Sequence, residues 1–195
     1  LFPYTTLFRS GNLDTDVAAH VMPINNFINV TEPLGEKKSK ELISNNFAVA
    51  DNKFIVNYYK VTPDYRLLFG GGENYQYTFP KNMSKKVKTA MIDIFPQLSN
   101  VKIAYSWGGT LAVTMNRLPD FRRVSPNIYS ASGYSGQGVA MATMAGRIIC
   151  DAIRGQSEKF DNLSELPTQK FPGGSIFRWP LMALGMLWYS MRDKL

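Results

Sequence analysis

The chain has 195 residues, 45% of them hydrophobic and 19% charged, a composition compatible with a globular protein of one domain or two small ones. Its 22 lysines and arginines outweigh 15 acids, for a formal net charge of +7, but no nucleic-acid recognition motif accompanies the charge and nucleic acid is not expected as a partner. A single cysteine excludes an internal disulfide and a thiolate metal cage; the only histidine, His20, lies near the start of the chain, no Ser-His-Asp or Cys-His constellation can be assembled around it, and no metal-ligand cluster is visible, so no metal is expected.

The first ten residues, LFPYTTLFRS, back-translate to a common sequencing-library adapter, so residues 1–10 are set aside as non-native; the alternative is a genuine apolar strand. Arg9 follows the apolar residues and no cleavage site is evident. That is not a signal-peptide layout, and a cytoplasmic location is expected. Ile24 to Thr31 reads as a strand ended by Glu32-Pro33, and Lys37, Lys38 and Lys40 as a solvated basic loop. Lys53 to Val61, rich in aromatic and β-branched residues, reads as a strand that turns at Pro63-Asp64 and returns from Arg66 to Gly70. A helix is predicted over Asn82 to Ile94. Its apolar side is Met83, Val87, Met91 and Ile94, and its polar side includes Lys85, Lys86 and Lys88. A long strand, Val101 to Leu111, follows, with a break expected at Gly108-Gly109.

The most informative stretch is Asn127 to Gly155. A short apolar run, with Ile128, Tyr129 and Ala131, meets Gly133, Gly136 and Gly138, and a helical pattern starts at once. Strand, glycine turn and helix aim the positive end of a helix at an electron-rich group, and the glycines let it approach the main chain. The spacing G-x-x-G-x-G is neither the dinucleotide fingerprint nor a phosphate loop, so a plain strand-to-helix turn stays open. Gly138, Ala142, Ala145, Gly146 and Ile149 form a small-residue face, and Met141, Met144, Ile148 and Ile153 extend the apolar surface. The pattern predicts a helix buried on most sides, with Cys150 as a core thiol. The tail from Gln156 carries loop signals and then an apolar helix from about Pro180. That helix is too short to span a bilayer, so it either docks on the protein body, the preferred reading, or lies at a membrane surface.

The glycine stretch resembles the C-terminal flavin-contacting motif of FAD-dependent amine and amino-acid oxidoreductases, the D-amino-acid oxidase or glycine/sarcosine oxidase superfamily. The segments RLLFGGGE (66–73), FPQL (95–98), WGGTLAVTMNRLP (107–119), GYSGQGVA (133–140), KFD (159–161), FPGG (171–174) and WYSMRDKL (188–195) occur in order. Together they are similar to the gamma-glutamylputrescine oxidoreductase branch, from Val21 to the end of the chain. The resemblance implies an α+β fold: a mixed or antiparallel substrate-domain sheet with a crossing helix, plus the C-terminal strand and helix of a Rossmann-like FAD domain. It divides the chain into a partial substrate domain (11–126), the last part of the FAD-binding domain (127–155) and a tail (156–195). The strand, G-x-G-x-x-G and helix that open such enzymes do not occur in this sequence, so an N-terminal half is expected to be missing and the chain alone to be inactive.

By this resemblance the cofactor is FAD and the substrate a small-molecule amine, oxidised by hydride transfer from the carbon beside its nitrogen; the imine then hydrolyses. Gly133, Tyr134, Ser135, Gly136, Gln137, Gly138 and Val139 would meet the flavin, with Gly108, Gly109 and Thr110 running across it. Tyr134, Gln137 and Trp107 are the candidate catalytic residues. Tyr58, Thr114 and Arg117 are the candidate substrate contacts. Packing remains the alternative for Tyr134, Tyr58 and Tyr59, and an ion-pair role for Arg117. Sarcosine-type relatives carry a lysine where Ala140 stands, and glycine-oxidase-like relatives an arginine at Gly136. A small α-amino acid therefore loses its charge-paired grip, and a larger amine such as a glutamylated polyamine is expected. The gamma-glutamylputrescine branch often carries histidine where Gln137 stands, which puts proton handling at that position in question.

Overall fold

The structure, a computed structural model, describes residues 13–45, 47–53, 56–74 and 79–192. The adapter reading of residues 1–10 and part of the strand expected over Lys53 to Val61 lie outside them. In chain order the elements are α1 (Thr15–His20), β1 (Met22–Thr31), α2 (Glu36–Leu42), β2 (Val49–Ala50), β3 (Tyr58–Val61), β4 (Leu67–Asn74) and α3 (Met83–Ile94). A 3-10 turn (Pro96–Leu98) precedes β5 (Ile103–Val113), β6 (Asp120–Ser125), β7 (Ile128–Ser132), α4 (Gly138–Ile153), α5 (Glu158–Ser164) and α6 (Gly174–Arg192). The chain forms two compact units. One holds the residues up to Ile24 with Thr110–Gly185, the other Asn25–Gly109 with the residues from Met186.

The unit of residues 25–109 is a sheet with a helix on it. Five strands lie in the order β2-β3-β4-β1-β5, and the pairs β2/β3, β3/β4 and β4/β1 are antiparallel. The expected turn between β3 and β4 is present. Thr62 N–H donates to the Arg66 carbonyl at 2.9 Å, and Tyr65 takes a left-handed φ of 62°. The helical period of 83–94 puts Val87 and Met91 on one side. Both are fully buried with Phe27, Leu67, Phe69 and Leu98, and Met83 and Ile94 pack at the margin. Each such side chain contributes about 1.5–3 kcal/mol by leaving water.

Two glycines here are packing glycines. A Cβ on Gly108 would stand 2.6 Å from Cδ1 of Phe27 and 3.2 Å from the Asn26 carbonyl oxygen, and one on Gly70 would stand 2.1 Å from Cζ of Tyr58. Gly108 therefore does not break its strand, as the sequence suggested. It lets β5 lie close beside β1 and run unbroken. The lysines expected in a loop form the short helix α2, where Lys40 pairs with Glu36 one turn back at 2.6 Å.

The other unit is built on the β6/β7 hairpin, which the sequence reading did not anticipate as a pair. Its odd-numbered side chains Phe121, Tyr129 and Ala131 pack with Ala145, Ile148 and Ala152 of α4 and with Phe160 of α5. The Phe160 ring meets Phe121 and Tyr129 edge-on, with centroids 5.9 and 5.0 Å apart. Charge holds the even-numbered face. The fully buried Asp120 accepts from Arg122 Nε at 2.8 Å and Nη2 at 2.5 Å, and from the Thr168 hydroxyl at 2.7 Å. Arg122 Nη1 also pairs with Asp16 of α1, whose other oxygen accepts from Lys170 Nζ at 2.7 Å. The Asp16 carboxyl is held below its ordinary value, first by the hydrogen bond from Lys170 and further by the nearby Arg122 charge.

Two expectations for α4 are corrected among the described residues. The helix is buried along Gly138, Ala145, Ile148 and Ala152 only, while Val139, Met144 and Ile153 are 71, 57 and 67% exposed. Cys150 is exposed, because its position falls on the uncovered side of the helical period. In the tail, α6 starts at Gly174, six residues before Pro180, which lies inside the helix. The FPGG motif makes that start. Gly173 and Gly174 take φ of 80° and 59°, and Phe177 N–H donates to the Gly173 carbonyl at 3.1 Å.

Candidate cofactor site at the glycine turn

The turn from β7 into α4 is wound by three left-handed residues, Gly133 at φ 70°, Ser135 at 51° and Gly136 at 98°. The end of β5 clamps it. Ser135 N–H donates to the Ala112 carbonyl at 2.9 Å, and Val113 bridges Tyr134 in antiparallel fashion. Ser135 Oγ donates to the Gly133 carbonyl at 3.1 Å and accepts from Thr114 N–H at 3.3 Å. These bonds hold a non-glycine residue in a conformation that costs about 1–2 kcal/mol.

The glycines differ in purpose. A Cβ on Gly133 would stand 2.5 Å from Cγ2 of Thr114 and 3.6 Å from Cβ of Asp120, so this glycine seats the turn on its support. Around Gly136 there is nothing within 4 Å of a Cβ, and the residue is exposed. Beyond it, α4 opens at Gly138 with Gln137 as its N-cap. The Gln137 side chain makes no capping bond, and no acid lies in the first turn. Gln137, Val139 and Ala140 are exposed. Gly138 itself is buried, so the exposed residues Gly136, Gln137, Val139 and Ala140 flank it at the positive end of a 16-residue helix that has no side-chain cap and no acid in its first turn.

Tyr134 is half-buried among the hairpin side chains, and its hydroxyl donates to the Ala131 carbonyl at 2.9 Å. Burial pushes its phenol up, so it stays protonated. Thr114, expected at the substrate, is buried, and its hydroxyl is spent on the Leu118 carbonyl at 2.7 Å. Arg117 is exposed on the same tight turn, with φ 65°. Thr110 is half-buried in the same unit. Trp107, Gly108 and Gly109 are half-buried in the part of β5 that belongs to the sheet unit. Tyr58 is also in that unit, with its ring across Gly70 and its hydroxyl donating to Asn26 Oδ1 at 2.5 Å. Tyr59, its neighbour, faces the other way and stacks on Phe69 at 5.5 Å.

The structure thus gathers Gly133–Val139 and Thr114 around one turn. It adds a pair that sequence reasoning missed, Asp120 and Arg122, which brace the hairpin beneath Gly133. Their spacing, an acid and a base two apart on one strand face, was the available signal. Among the described residues, no group of three metal-binding side chains exists.

A family model described as DAO, FAD dependent oxidoreductase, matches residues 3–152. The chain is 40% identical over 188 residues to gamma-glutamylputrescine oxidoreductase of Escherichia coli K12, covering 96% of this chain and 44% of that protein. It is 38% identical over 184 residues to the probable oxidoreductase OrdL of Rhizobium meliloti, covering 94% of this chain and 42% of that one. The chain therefore spans less than half the length of these curated relatives. In fold it is similar to L-proline dehydrogenase from P. horikoshii, with a TM-score of 0.54, 22% identity and coverage of 86% of this chain and 41% of that one. It is likewise similar to glycine oxidase from Geobacillus kaustophilus, with a TM-score of 0.55, 14% identity and coverage of 71% and 36%. The glycine turn, the α+β architecture and the family match agree: the chain belongs to the DAO family of FAD-dependent oxidoreductases.

Proposed function

We propose that the protein to which this chain belongs oxidises an amine at the carbon beside its nitrogen, with a gamma-glutamylated polyamine or a similarly extended amine as substrate. The observation that carries this reading is the open, uncapped entrance to α4 at Gly136–Val139, in a chain of the DAO family. The uncapped helix end there, with Gly136, Gln137 and Val139 exposed around it, suits the electron-rich edge of a flavin ring. Bound FAD supplies the acceptor for the hydride.

The chain's own residues orient and stabilise. The N–H groups of the first turn of α4, unclaimed by any side chain of Gln137, offset negative charge that develops beside them. Ser135 and Thr114 fix the turn so that those donors need no rearrangement during the reaction. Tyr134 anchors the turn through Ala131, and Asp120 with Arg122 holds the hairpin below it; these are positioning residues. Gln137, exposed at the N-cap, is the side chain of the turn assigned to the reacting groups. Gly108, Gly109 and Thr110 are assigned to the flavin, Trp107 to the reacting groups, and Arg117 and Tyr58 to the amine. Neither Gly136 nor Ala140 offers a cation for an α-carboxylate, which favours a substrate whose charge lies elsewhere. The adenosine and pyrophosphate would be held by parts of the protein other than these residues.

Anaerobic addition of gamma-glutamylputrescine to the intact, FAD-loaded protein tests the reading. The flavin absorbance should bleach, and glycine or sarcosine should bleach it far more slowly. A protein that takes up no FAD, or whose flavin no amine reduces, would remove the proposal.

A further inference from the structure

The two tyrosines of β3 serve opposite faces of the sheet. Tyr59 is a packing residue: it stacks on Phe69 at 5.5 Å, meets Phe95 edge-on at 5.1 Å and sits at the margin of the core under α3. Tyr58 is not among the side chains of that cluster. Its ring lies across Gly70, its antiparallel partner in β4, where a Cβ would stand 2.1, 2.2 and 2.5 Å from its Cζ, Cε2 and hydroxyl oxygen. The hydroxyl reaches Asn26 of β1, one strand further on, and donates to Oδ1 at 2.5 Å. Asn26 is buried, although asparagine is depleted from strands, and a glycine inside a strand marks a close approach. Holding one phenol in one orientation accounts for both residues.

We propose that Asn26 is a positioning and specificity residue of the amine oxidation: it fixes the Tyr58 phenol as a hydrogen-bond acceptor for an N–H group of the substrate. The proposal rests on the assignment of Tyr58 to the amine. Its content is the direction of one hydrogen bond. A phenol has one proton and two lone pairs. With the proton given to Asn26, the oxygen can only accept from any further group. An ammonium or amide N–H satisfies it. A carboxylate has no proton to give and meets lone pairs with lone pairs. An extended amine that carries amide and ammonium N–H groups therefore gains a contact here, and the carboxylate of a small α-amino acid does not. This agrees with the absence of a cation at Gly136 and Ala140.

Anaerobic flavin reduction in the intact, FAD-loaded protein, at graded concentrations of gamma-glutamylputrescine and of sarcosine, tests this. Tyr58→Phe should raise the half-saturating concentration of gamma-glutamylputrescine at least about tenfold, while the limiting rate of bleaching changes less than about twofold. Asn26→Leu should do the same. It should leave the half-saturation by sarcosine unchanged or lowered, because the phenol proton is released for a carboxylate, whereas a merely structural defect would raise both. On a Tyr58→Phe background, Asn26→Leu should add nothing further. Flavin content and the unfolding midpoint monitor the fold of each variant. If Asn26→Leu does not fold, Tyr58→Phe, which removes a single oxygen, decides alone. Unchanged half-saturation in Tyr58→Phe, equal shifts for the two substrates in Asn26→Leu, or additive effects in the double variant would overturn the proposal. Bleaching of the wild type reports separately on the oxidoreductase reading. A wild type that bleaches alongside variants indistinguishable from it removes this proposal alone, and a wild type that no amine bleaches removes both.

Discussion

The two units of this chain use their apolar and charged residues in opposite ways. In residues 25–109 the apolar side chains are spent inward: Phe27, Leu67, Phe69, Val87, Met91 and Leu98 are fully buried, and Gly70 and Gly108 make room for Tyr58 and Phe27. In the unit of the β6/β7 hairpin, a smaller apolar cluster covers one side. The other side is held by the Asp120–Arg122–Asp16–Lys170 chain of charges, and Val139, Met144 and Ile153 of α4 remain outside. The comparison separates glycines that serve packing from glycines with open space around them. A glycine whose missing Cβ would strike a neighbour reports on the fold. Gly136 shares free space and a left-handed backbone with Gly35, Gly155 and Gly174, and differs from them in standing just before the uncapped entrance to the 16-residue helix α4.

The largest expected effect is on the charged clasp. Replacing Arg122 with Met leaves the fully buried Asp120 carboxylate without its cation, and the hairpin unit should lose about 3–5 kcal/mol of stability, read from urea denaturation. A loss below about 1 kcal/mol would mean that apolar packing, not charge, holds this unit. Next come the packing glycines. Gly133→Ala and Gly108→Ala should each cost about 2–3 kcal/mol, since each new methyl strikes a neighbour and Gly133 adds a positive φ. By contrast, Gly136→Ala should cost only about 1–2 kcal/mol, from its backbone alone.

The smallest effect concerns acid. Asp16 has a lowered value in the fold, so its contribution is present above the ordinary carboxylate range near about 4 and is lost as pH falls through the lowered value. The difference in unfolding midpoint between the wild type and Asp16→Asn should be constant from about pH 5 to 8 and should shrink below about pH 4. A difference that instead grows in acid would reverse the assigned sign.

Much of this architecture is legible in the sequence because the period of the side chains decides it. The α3 stripe Val87 and Met91, the Pro63-Asp64 turn and the succession of strand, glycine turn and α4 all follow from local pattern. What local pattern lacks is the other partner. Gly108 reads as a strand breaker until Phe27, 81 positions earlier, is seen to occupy its side-chain space. Cys150 and Met144 read as core because they are apolar and on a helix, yet burial depends on which face another element covers. Thr114 and Tyr134 resemble chemistry-bearing residues in sequence. Their hydroxyls are committed to the carbonyls of Leu118 and Ala131, which makes them supports of the turn.

The central claim is that the turn at Gly136 meets the flavin while Gly133 only holds the turn in place. Titration of FAD into the intact apoprotein and its Gly136→Val variant, followed by flavin fluorescence, tests it most directly. The account predicts a variant that folds, with an unfolding midpoint displaced only by the backbone cost, but binds FAD at least about tenfold more weakly, a difference of about 1.4 kcal/mol. A Gly136→Val protein with unchanged FAD affinity would contradict the account.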